Sequence, residues 1–290
     1  MFDSDFMKKL EYLSLVSRRV FRGLLLARRR TRQLGGGVEF AGHREYLFGD
    51  DLRHLDWNFY ARSGNRFIKR FEEEEDLHVY LFLDCSRSMR TGDPDKFDYA
   101  RQITAALAYI ALSDLDRVSV VAYSDRIREI FPLTRGKEHI VNLLRFLEHC
   151  QSDGDETNLG KVINDFVHRK QRSGLAFVIS DLFDKHGFQP GLDLLRCQQF
   201  EPGIIQIHDD SEAEPSLRGD FRVIDIESGQ KRNITFTEAM LKQYRKRFTG
   251  FLEQVKKYCV GNGFVCTISR TSVPFDELIL RMMRETGGVR

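Results

Sequence analysis

The chain has 290 residues, 41% of them hydrophobic, which is enough for one large α/β domain plus a small accessory. Its five cysteines are odd in number and widely spaced, excluding a disulfide framework or a zinc pattern, and no run approaches the roughly 18 to 20 apolar residues of a membrane span. The net charge of +2 hides an asymmetry: residues 1–70 carry 15 Lys and Arg against 8 Asp and Glu, and the remainder 30 against 35.

Residues 5–32 read as a helix, with Leu and Phe at spacings of three to four and Arg18, Arg19, Arg22, Arg28, Arg29, Arg30 and Arg32 between them. Gly35-Gly36-Gly37 stops it. From 38 to 71 the pattern turns to short extended segments rich in aromatics, and Arg62-Ser63-Gly64-Asn65-Arg66 reads as a hairpin turn. Residues 1–75 are therefore expected to form a helix plus a small β accessory, with the acidic run 72–76 marking the crossing into a second domain, 76–290.

That second domain has the rhythm of a mainly parallel sheet with crossover helices. Strands are expected at 79–83, 118–123, 175–180, 203–207 and 264–268, and 127–133 reads as an antiparallel edge partner with Pro132 near its end. Helices are expected at 96–114, 136–150, 158–171, 188–198, 237–258 and 274–285. Residues 210–236 break the rhythm and read as an inserted hairpin.

Three loops at strand ends offer oxygen ligands. Asp84, Ser86 and Ser88 follow the first apolar strand, Thr157 precedes a helix in Glu156-Thr157-Asn158-Leu159-Gly160, and Asp181 follows strand 175–180. Parallel strands bring such loops to one edge of the sheet, where ligands bind, and an all-oxygen set suits a hard divalent cation such as Mg²⁺. The same residue types also serve as ordinary caps and turns. With two carboxylates, a metal here is short of negative charge and favours an acidic ligand from a partner over hydrolysis.

These residues match a family pattern. Asp84-Cys85-Ser86-Arg87-Ser88, Thr157 and Asp181 resemble the metal-ion-dependent adhesion site of von Willebrand factor type A domains, over about residues 77–285. The resemblance implies a three-layer αβα, Rossmann-type fold in which Ser86, Ser88 and Thr157 bind Mg²⁺ (or Mn²⁺ or Ca²⁺) directly while Asp84 and Asp181 act mostly through water. Upstream, the segment from Arg44-Glu45-Tyr46-Leu47-Phe48-Gly49-Asp50-Asp51-Leu52 through Arg53-His54-Leu55-Asp56-Trp57, followed by Ala61-Arg62, resembles domain-of-unknown-function family 58. Phe48 departs from it, since proline usually stands there. That resemblance implies a bacterial protein working with a MoxR-type AAA+ ATPase in an assembly or chaperone-like role, while the scattered cysteines suit a reducing cytoplasm.

Other features take plainer readings. The charges between Arg44 and Arg62 read as a partly buried ion-pair network clamping the β unit to the α/β domain, with Trp57 in the core, ahead of a docking surface. The arginines of the first helix alternate with core-type residues, which speaks against nucleic acid as a partner. His208-Asp209-Asp210 with Glu212 lies at another strand end, as a solvated acidic loop or as a neighbour of the metal edge. No phosphate-binding G-x-x-x-x-G-K-[ST] run exists. The enzymatic alternative is a Mg²⁺-dependent phosphatase with Asp84 as nucleophile, but Ser86 stands where a proton-donating acid is wanted.

Overall fold

The structure, a computed structural model, describes residues 2–17, 39–72, 77–154, 156–215, 219–224 and 231–286. The chain divides into two units, one made of Met1–Phe21 with Leu77–Arg290 and the other of Arg22–Asp76.

Helix α1 (Ser4–Ser17) buries Phe6, Leu10 and Leu13, spaced four and three apart along one face. The Phe6 ring lies 4.9 Å from that of Phe275, and Lys9 reaches Asp276 at 3.0 Å. This face places α1 in the large unit, so the expected 1–75 accessory loses its helix. The continuation of that helix to residue 32, the arginine cluster after Ser17 and residues 73–76 of the acidic run lie outside the described residues.

In the smaller unit, β1 (Glu39–Glu45) and β2 (Phe67–Glu72) pair antiparallel, joined through a 3₁₀ turn at Leu52–His54 and helix α2 (Trp57–Ser63). The hairpin turn expected at 62–66 is instead a helix end. Asp56 accepts a hydrogen bond from Phe59 N (3.0 Å) as N-cap, and Gly64 takes the left-handed conformation (φ 70°) that closes a helix C-terminus. The ion pairs expected here form inside this unit: Arg44 grips Asp50 through two bonds of 2.6 and 2.7 Å, Arg53 pairs with Asp51, and His43 with Asp56. Trp57, expected in the core, is 59% exposed.

The large unit is built on β3 (His78–Asp84), β4 (Arg117–Tyr123), β5 (Ile127–Arg135), β6 (Leu175–Ser180), β7 (Glu201–His208) and, later in the chain, a sixth strand at Val265–Arg270. Their spatial order is sixth strand-β7-β6-β3-β4-β5, parallel throughout except for β5, which runs antiparallel at the edge. Strands β3 and β6 are buried at every residue, as strands covered on both faces must be.

Helices cover both faces. Helix α3 (Lys96–Ser113) has Asp95 as N-cap, is almost wholly buried, and packs against β3, α1 and the last helix of the chain, with α4 (Ile140–His149) beside it. On the opposite face α5 (Leu159–Val167), α6 (Gln189–Cys197) and a long helix at Glu238–Asn262 close over Tyr80, Phe82, Val121, Val178 and Ile204. The short helix α7 (Asp210–Ala213) follows β7, and β8 (Gly219–Ile224) with β9 (Lys231–Phe236) forms the inserted hairpin as a separate two-stranded sheet. The long helix is α8, the sixth sheet strand β10 and the final helix α9 (Phe275–Thr286). The result is a mixed α/β unit with a mostly parallel six-stranded sheet flanked by helices, the layering expected from the alternation of apolar runs. No helix among the described residues is long and apolar enough to cross a membrane.

Candidate metal centre

From β3 the chain crosses to one side of the sheet, and from β6 to the other. The carboxyl ends of these two neighbours are the topological switch point, where open α/β sheets leave a crevice. Asp84 is the last residue of β3, and Asp181 follows the last residue of β6.

The Asp84 loop is held by its own side chains. Asp84 Oδ1 accepts from Ser86 N (2.9 Å), and Asp84 Oδ2 accepts from Ser180 Oγ (2.6 Å). The hydroxyls of Ser86 and Ser88 are 2.9 Å apart, so alternate residues present their oxygens together. All three residues are buried.

Thr157 comes to the same edge through the backbone before it. Gly154 bridges Ser86 in parallel register: Arg87 N donates to Gly154 O (2.9 Å) and Gly154 N to Cys85 O (3.1 Å). Ser152 Oγ also donates to Ser86 O. Only glycine fits at 154, because a Cβ there falls 2.3 Å from Ser124 Cβ. Asn158 then caps α5 through Lys161 N (2.9 Å). Thr157 is buried, and its Oγ1 has no hydrogen-bond partner among the described residues.

Asp181 is followed by strained backbone: the next residue, the buried Leu182, has φ 62°. A non-glycine residue in that region costs about 1–2 kcal/mol, and such outliers gather where a loop must aim its groups. Asp181 Oδ1 accepts from Phe183 N (3.1 Å), and Oδ2 from Lys96 Nζ (2.9 Å).

The ammonium of Lys96 was not foreseen. Lys96 opens α3, its side chain has no exposure, and it donates both to Asp181 and to Glu212 Oε1 (2.5 Å). Burial pulls its pKa down, but the charges of Asp181 and Glu212 outweigh this and leave it raised, so Lys96 is a cation. Glu212 is fixed in turn by a capping box at the start of α7, accepting from Asp209 N (3.0 Å). The reading of 208–212 as a solvated acidic loop is therefore overturned: His208 and Asp209 are buried, and Glu212 reaches the site.

Among the described residues no such cation pairs with Asp84. Burial, then the negative charge of Asp181, push its pKa above the ordinary carboxylate range, against the hydrogen bonds from Ser180 and Ser86. A buried carboxylate held up in this way gains from a nearby positive charge.

Residues 42–255, most of the chain, match the family model DUF58, a protein of unknown function. The chain belongs to the DUF58 family. Among similar proteins, the uncharacterized protein Rv1480 of Mycobacterium tuberculosis is 24% identical over 233 residues, 79% of this chain and 73% of that one. The uncharacterized protein YeaD of Bacillus subtilis is 27% identical over 114 residues, 39% of this chain and 27% of that one. Two solved structures are similar to this DUF58 chain over 73% of its length and 100% of theirs. They are a conserved hypothetical protein, BatB, from Bacteroides thetaiotaomicron (14% identity, TM-score 0.44) and an aerotolerance-related membrane protein from Bacteroides fragilis (16%, 0.46). Likeness at that level says nothing of what this DUF58 protein binds.

Its chemistry must be read from the site. Among the described residues no three His, Cys, Asp or Glu side chains cluster as metal ligands do. The oxygens at this edge are the hydroxyls of Ser86, Ser88 and Thr157, the last without a hydrogen-bond partner among the described residues, and the carboxylates of Asp84 and Asp181. An all-oxygen set with one orphaned buried hydroxyl and an under-neutralised carboxylate fits a hard divalent cation that keeps several waters.

Proposed function

We propose that this DUF58 protein is a non-enzymatic, Mg²⁺-dependent protein-interaction module of the von Willebrand A type. Ser86, Ser88 and Thr157 would hold the ion through their hydroxyls, with Asp84 and Asp181 acting through water. Once bound, the ion supplies an open coordination position for an acidic ligand from another protein. The residues of this chain orient that contact and exclude water from the base of the site, since all five are buried.

The observation that carries the reading is Thr157. A buried hydroxyl without a partner costs about 1–3 kcal/mol, and this one belongs to the loop bridged to the Ser86 backbone. The phosphatase reading has less support. Asp84 has no exposure, each of its oxygens already accepts a hydrogen bond, and Ser86 cannot protonate a leaving group. For the partner we infer a MoxR-type AAA+ ATPase or its client, from the family resemblance of the Arg44–Trp57 segment.

Thr157→Val tests the reading. With EDTA the variant is expected to melt at the wild-type temperature or slightly above it, because no protein hydrogen bond is lost. With Mg²⁺ it is expected to lose the metal-induced rise in Tm. A drop in Tm without metal would show that the hydroxyl already has a partner and would remove the main support. Capture of a MoxR-type ATPase is expected with Mg²⁺ and not with EDTA. Ester hydrolysis abolished by Asp84→Asn would support the phosphatase instead.

A further inference from the structure

Asp181 and Glu212 share one cation. Lys96 Nζ stands 2.9 Å from Asp181 and 2.5 Å from Glu212 with no exposure of its own, and it lies 5.4 Å from the centre of the Phe183 ring. The two carboxylates come from different strand ends, after β6 and after β7, and are 1% and 19% exposed. Burial works against the charge of this ammonium, and the pairing with both acids favours it.

We propose that Lys96 is a built-in competitor of the metal for the negative charge of Asp181, and that Glu212 sets how strongly it competes. The inference rests on the reading of Asp84, Ser86, Ser88, Thr157 and Asp181 as the Mg²⁺ site. Charges a few ångströms apart in a buried setting act strongly on one another. An ammonium hydrogen-bonded to Asp181 repels an incoming divalent cation and occupies one of that carboxylate's oxygens. Glu212 draws part of the ammonium's charge away. With Glu212 neutral, Lys96 belongs wholly to Asp181 and the metal binds less well. With Lys96 neutral, Asp181 offers its full charge and the metal binds better. Helix α7, which fixes Glu212 through its capping box, thereby becomes a point from which metal affinity is regulated.

The two substitutions must act in opposite directions, which a merely structural peg would not produce. Loosening the loops would scatter the ligands and weaken binding in both cases.

Titration calorimetry with MgCl₂ on the full chain, wild type against Lys96→Met and Glu212→Gln, makes the test. Lys96→Met is expected to tighten binding at least about tenfold, equivalent to about 1.4 kcal/mol, and Glu212→Gln to weaken it several-fold. Lys96→Gln, neutral yet able to hydrogen-bond both acids, should tighten binding as well, and it stands in if Lys96→Met does not fold. Wild-type affinity in the folded Lys96 variants, or weaker binding there, overturns the proposal while leaving the metal site standing. Binding in Lys96→Gln but not in the wild type supports the competition and overturns Mg²⁺ binding by the natural protein. No binding in any of the proteins overturns both.

Discussion

At the end of β7, His208 Nδ1 donates to Gln206 Oε1 at 3.1 Å, while Gln206 Nε2 reaches the carbonyls of Ile207 (3.1 Å) and Asp181 (3.4 Å). Burial, then the nearby Arg270, with Lys96 adding to the effect, lower the His208 pKa to about 4, although Asp210 and Asp209 pull the other way. The unfolded chain then takes up the proton first as pH falls. The stability contributed by neutral His208 is complete above its unfolded pKa of about 6.5 and lost on the way down to about pH 4. Comparing wild type with His208→Gln by urea unfolding, the advantage of the wild type is expected to shrink between pH 7 and pH 4.5, by up to about 3 kcal/mol. A constant difference across that range would mean that His208 titrates normally. At this scale the placement of Asp84, Ser86, Ser88 and Asp181 at strand ends was legible, because each follows a short apolar run bounded by turn residues. Lys96 was not, because its partners lie 85 and 116 residues away and nothing local marks them.

The loop before α5 shows how elements meet at the site. Gly154 lets it lie against the Cys85–Ser86 backbone, and Gly154→Ala would place a methyl 2.3 Å from Ser124 Cβ. Overpacking of that kind costs roughly 1–3 kcal/mol. The variant should lose that much in chemical denaturation and bind Mg²⁺ more weakly, because Thr157 shifts with the loop. Wild-type Tm together with wild-type affinity would contradict this placement. Apart from α1 and the four-residue α7, which went unread inside the segment expected to be a hairpin, the helices and strands of the large unit could be read from apolar periodicity to within a few residues. The region around Gly64 could not. A glycine between two aromatic stretches has the composition of a hairpin turn; here Asp56 starts a helix by capping Phe59 N, and Gly64 ends it in the left-handed conformation, donating its N–H to Tyr60 O. Helix α1 was assigned to the wrong unit for a related reason: its Phe6-Leu10-Leu13 stripe announces a buried face without naming what covers it.

For the whole molecule, the alternation of strands and helices announced a mainly parallel sheet, and with it a switch point, but not which strands would be neighbours. The register of β3 beside β6 supplies this by bringing the ends that carry Asp84 and Asp181 side by side. From that arrangement follows the charge imbalance at Asp84, which together with the orphaned hydroxyl of Thr157 on the loop before α5 supports the proposal that a divalent cation and an acidic partner complete the site. The most direct test is calorimetric titration of Mg²⁺ into wild type and Ser86→Ala/Ser88→Ala, both shown to be folded. Saturable binding by the wild type that is lost in the double variant is the expected result. Equal affinity in the two proteins, or no binding by the wild type, would contradict a metal centre built on these hydroxyls.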